Sequence, residues 1–71
     1  MFNRNKLRGM MAEKNCTVEK MASFLGINPV TLYRKTNGES EFTRREIQQI
    51  STLLSLTLQE IKDIFFAEEL A

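Results

Sequence analysis

Seventy-one residues with ten Lys/Arg against nine Asp/Glu, a formal charge of +1, leave room for one hydrophobic core and argue against a second lobe or a deep cleft. The 42% hydrophobic content, with one Pro and three Gly, points to a compact globular chain, and stretches rich in Leu, Ile, Met, Glu, Lys and Gln favour helix. With Cys16 alone and no His, an intrachain disulfide, a Cys/His zinc cage and a Ser/His/Asp or Cys/His catalytic set cannot be assembled. The expectation is a single all-α domain over residues 1–71, not an enzyme and without a cofactor.

The first helix is expected from about Arg4 to Lys14, with Leu7, Met10 and Met11 as its inward stripe before Asn15-Cys16 breaks the period. Thr17 caps a second helix, Val18 to Leu25, in which Val18, Met21, Ala22 and Leu25 share a face, and Gly26 ends it. Asn28-Pro29 is a strong restart, a good N-cap followed by Pro at the first helical position, and the third helix runs through Lys35 until Asn37-Gly38 stops it. A polar loop, residues 39–42, leads to a capping box, Thr43 with Glu46, that opens a fourth helix carrying Ile47, Ile50, Leu53 and Leu54. A second box, Thr57 with Glu60, opens a fifth helix carrying Ile61, Ile64 and Phe65, and residues 67–71 are expected to fray. Met10, Met11, Met21 and the phenylalanines are read as core packing, together with Leu25, Leu32, Ile47, Ile50, Leu54, Leu56 and Ile61.

The informative unit is the pair of short helices joined by Gly26-Ile27-Asn28. So tight a turn makes them cross steeply and leaves the second of the pair projecting, which needs a small residue at Ala22, a positive φ at Gly26 and an apolar plug at Leu32. Charge is uneven as well. Residues 1–45 hold nine Lys/Arg against four acids, whereas residues 46–71 hold Lys62 against Glu46, Glu60, Asp63, Glu68 and Glu69, so that one half suits phosphates and the other solvent or protein.

From Leu7 to Phe66 the chain resembles the lambda-repressor-like, Cro-type helix-turn-helix domains of phage and bacterial regulators. The resemblance rests on Leu7-Arg8, Thr17 to Ala22, Leu25-Gly26-Ile27, Thr31-Leu32, Asn37-Gly38 and Leu54 to Ile61, and the run Leu32 to Lys35, Asn37-Gly38, Glu41 to Thr43 is like that of short phage-borne members. It implies a five-helix bundle that binds double-stranded operator DNA, commonly as a homodimer on an inverted repeat with half-sites about one helical turn apart. The chain departs from the family pattern in three ways. Val18 stands where relatives carry a phosphate-clamping Gln, leaving that role to Thr17 or to the helix's own amides; Pro29 and Val30 stand where polar base readers are common, limiting readout there to thymine methyls; and Glu39 and Glu41 place negative charge in a loop that relatives lay along the backbone.

Pro29, Val30, Tyr33 and Arg34 fall on the arc opposite Leu32, with Arg34 the best base reader and Tyr33 suited to a phosphate or sugar. The DNA-contacting set expected from this reading is Thr17, Asn28, Pro29, Val30, Thr31, Tyr33, Arg34, Lys35, Asn37 and Arg44, with Arg45, Arg4, Lys6 and Arg8 adding rim charge. Phe65, Phe66 and Leu70 crowd the last helix and are the expected dimer seam, the other reading being that they close the bundle. Met1–Met11 is polar and no apolar run can span a bilayer, so a cytoplasmic protein is expected. The leading function is a Cro-like phage or prophage repressor; the alternative is a protein-interaction adaptor or antirepressor using the C-terminal helix.

Overall fold

The structure is a computed structural model and describes residues 2–67. Five helices follow one another: α1 (Arg4–Glu13), α2 (Val18–Leu25), α3 (Pro29–Thr36), α4 (Arg44–Leu54) and α5 (Leu58–Phe65). Each begins at a residue whose short polar side chain takes up an orphan amide. Asn3, Thr17, Asn28, Thr43 and Thr57 accept from Lys6, Lys20, Val30, Glu46 and Glu60 N–H respectively, and the last two belong to complete capping boxes.

The first four helices end with one device. A residue in the left-handed region follows the last turn, and its N–H and that of the next residue bond back to carbonyls three and five residues earlier. At the end of α2, Gly26 has φ 73°, its N–H reaches Ser23 O at 3.3 Å and Ile27 N–H reaches Ala22 O at 3.0 Å. Gly38 (φ 84°) does the same for α3, but α1 and α4 use Asn15 (φ 55°) and Ser55 (φ 52°), which no glycine signal announces. A serine in this conformation carries a steric cost of about 1 kcal/mol that glycine lacks. Ser55→Gly should therefore raise Tm by a few degrees in a thermal scan, at about 4–8 °C per kcal/mol for a domain this small, minus glycine's extra entropy when unfolded.

Helix α2 packs against α3 and α4, α1 against α3 and α5, and α4 against α5. Leu7, Met21, Leu32, Ile50, Leu54 and Ile64 are fully buried, joined by Met10, Met11, Ala22, Leu25 and Phe65; Ile47, Leu56 and Ile61 pack against this core while keeping partial exposure. Asn3 N–H donates to Ile64 O at 2.6 Å, pinning the chain's start to α5. Phe2, Phe42 and Phe65 form an aromatic trio with ring centroids 5.4–5.9 Å apart, sealing that end of the bundle. Phe24 departs from the core expectation. It is 47% exposed, because the buried face of α2 runs through Met21, Ala22 and Leu25. No helix among the described residues is long and apolar enough to cross a membrane.

Candidate nucleic-acid interface

The turn between α2 and α3 works as its three residue types require. Ala22 is buried, Gly26 takes the positive φ, and Leu32 is wholly enclosed, so α3 is anchored by one face and bares the other. Thr36 is buried one turn beyond Leu32 and satisfies its hydroxyl by donating to Tyr33 O at 2.8 Å. On the opposite side Val30 is 60% and Tyr33 54% exposed, and Pro29, Thr31 and Arg34 are exposed beside them. Asn28 Oδ1 accepts Val30 N–H at 2.8 Å, which fixes the leading end of the helix.

Flanking residues fall into two groups. Thr17 at the head of α2 and Arg44 and Arg45 in the first turn of α4 are exposed, and so are Arg4, Lys6 and Arg8 along α1. Lys35 and Asn37, by contrast, are engaged within the protein. Lys35 Nζ donates to both oxygens of Glu46 at 2.6 and 2.8 Å, and Asn37 Oδ1 accepts from the Arg8 guanidinium. No sequence signal announced either tie, since the partners lie on different helices, 11 and 29 residues apart. Glu39 and Glu41 are exposed in the loop between α3 and α4.

Of the three residues expected at a dimer seam, Phe65 is buried in the aromatic trio and closes the bundle, Phe66 is 37% exposed, and Leu70 lies outside the described residues. An open concavity of about 750 Å³ sits beside that trio, lined by Phe2, Arg4, Gly38, Phe42, Ile47 and Phe66 among others, away from the exposed arc of α3 at Val30 and Tyr33. Burial pushes the Cys16 thiol above its ordinary range, with Lys20 pulling only partly against it, so little reactive thiolate forms at neutral pH.

Burial by itself would lift the Glu46 carboxyl, but the hydrogen bonds from Lys35 and from Thr43 N–H, with the ammonium's charge, prevail and hold it below its ordinary value of 4.5. Glu60 is also held low, first by the Thr57 N–H. A carboxyl depressed by folding stabilises while ionised. Its contribution is complete above the unfolded value and is lost as pH falls through the folded one. Tm should therefore be flat from about pH 7 to 5 and fall below about pH 4.5, and Glu46→Gln should flatten that acid limb. An acid limb unchanged in the variant would show that Glu46 contributes nothing to it.

A doubly capped helix with one exposed face thus follows a partner helix that buries Met21, Ala22 and Leu25, with cations on the elements to either side. Residues 6–66 match the Cro/C1-type HTH DNA-binding domain. The chain belongs to that family. Comparison with curated proteins and with solved structures returned no match. Membership of the Cro/C1-type family makes the chain a helix-turn-helix DNA-binding domain of the kind that regulates transcription, and within that fold α2 and α3 are the helix-turn-helix pair.

Proposed function

We propose that this chain is a sequence-specific repressor of the Cro type, phage or prophage in origin, that occupies operator DNA through α3 as a homodimer on an inverted repeat. The observation carrying this reading is the exposed arc of α3. Val30 and Tyr33 present apolar surface that the bundle does not need, next to Arg34, while Leu32 and Thr36 on the reverse are buried. Apolar exposure costs solubility unless something covers it, and a major groove offering thymine methyls and guanine acceptors suits Val30 and Arg34 respectively. Repression then needs no catalytic group, only occupancy of a promoter that excludes polymerase.

Arg44 and Arg45 at the head of α4, with Arg4 and Lys6 on α1, supply the phosphate contacts of this reading, and Thr17 with the first amides of α2 takes the place of the missing glutamine. Phe66 is the described residue that would enter a dimer seam. Leu58, 70% exposed in the first turn of α5, favours a second reading in which the C-terminal helix docks on another protein.

Selection of purified protein on a random-sequence DNA library at two salt concentrations tests both. An enriched inverted repeat supports the dimeric repressor. Salt-sensitive retention without a motif would leave a non-specific DNA binder, and no retention at low salt would favour the protein-docking reading.

A further inference from the structure

The grip on the last turn of α3 has a consequence for DNA reading. A capping box asks of Glu46 only that one oxygen receive the Thr43 N–H, which Oε1 does at 2.8 Å. Glu46 does more. Its two oxygens also hold Lys35 Nζ, the Lys35 and Glu46 side chains are just 13% and 11% exposed, and the pair bridges from the end of α3 to the start of α4. On the far side of α3, the Asn37 side chain is tied to Arg8 of α1. Beyond its packing on α2 and α1, the helix is thus tied at its C-terminal end to both α4 and α1, the opposite end from Pro29 and Val30. Eight residues of helix span about 12 Å, so a tilt of about 10° at the held end moves the leading end by about 2 Å, more than base-edge hydrogen bonds tolerate.

Resting on the DNA-binding reading above, we propose that Glu46 is a positioning residue for sequence readout: it retains Lys35 inside the protein, off the phosphate backbone, and so fixes the angle at which α3 presents Val30, Tyr33 and Arg34. Lys35 joins the frame of the site instead of its footprint. Moving the ammonium to a phosphate would leave the Glu46 carboxylate desolvated and without its cation, which opposes the exchange.

Lys35→Met and Glu46→Gln test this in the full chain, with Arg44→Ala as the comparison for a phosphate contact. Each is measured on the selected DNA site and on a scrambled duplex across a range of salt, with far-UV circular dichroism confirming the fold. Glutamine keeps an oxygen for the Thr43 N–H, so the capping half survives. Both variants should bind the selected site about tenfold less well relative to scrambled DNA, a loss the size of one mismatched base pair. Lys35→Met should keep the wild-type salt slope, whereas Arg44→Ala should flatten it by about one unit and weaken both duplexes alike. Glu46→Gln frees Lys35 and should steepen the slope. The proposal is overturned if Lys35→Met flattens the slope by about one unit, which would make Lys35 a phosphate ligand, or if the specificity ratio stays at wild type in Lys35→Met. Should Glu46→Gln fail to fold, Lys35→Met decides by itself. Wild-type protein that ignores DNA at low salt would instead overturn the DNA-binding reading, and this inference with it.

Discussion

Arg34→Ala is expected to lower affinity for the selected operator by roughly 10- to 100-fold, about 1–3 kcal/mol, and to relax preference at one base pair per half-site. The guanidinium is the planar fork on the exposed arc of α3 and matches the two acceptors of guanine, which lysine cannot do bidentately. Because Arg34 is exposed and does not belong to the core, Tm should stay within a few degrees of wild type. Binding to a scrambled duplex should fall much less. A uniform loss on every sequence, with a salt slope lower by about one unit, would instead make Arg34 a phosphate contact.

Leu32→Ala should act in the opposite way, through stability. Leu32 is fully enclosed where α3 meets the core, and removing a buried leucine side chain costs about 2–5 kcal/mol through lost transfer energy and the cavity left behind. A chain of this length has in total only about 4–10 kcal/mol. The expected result is a Tm lower by more than about 10 °C, with binding to selected and scrambled duplexes lost together as the protein unfolds. The contrast with Arg34→Ala separates anchor from reader on one eight-residue helix. A drop of only a degree or two would mean that Leu32 does not secure α3 to the bundle.

Much of the fold was legible because the signals that place helix ends are local. An N-cap and the amide it satisfies lie two or three residues apart, so Thr17, Asn28, Thr43 and Thr57 could be read directly, as could Gly26 at the turn. The inward stripe of α1 and the exposed arc of α3 followed from helical period in the same way. Asn3 also obeys a local rule but sits at an unpatterned start, and Asn15 and Ser55 take left-handed conformations in positions where glycine would have announced the stop.

The amino-acid sequence by itself determined the five helices, the helix-turn-helix and the side of α3 that faces outward, since each depends on spacing within one or two turns of chain. Only the tertiary structure decided which charges and aromatics remain available. Lys35 and Arg44 are alike as isolated cations, yet the fold sets Lys35 at the end of α3 against Glu46 in the first turn of α4 and leaves Arg44 exposed. Phe65 and Phe66 are chemically identical neighbours, separated because Phe65, the last residue of α5, packs on Phe2 and Phe42 while Phe66, where the chain leaves the helix, stays partly exposed. The physical reason is common to both cases: the cost of desolvating a charge and the gain from covering an aromatic ring depend on atoms brought together from distant parts of the chain.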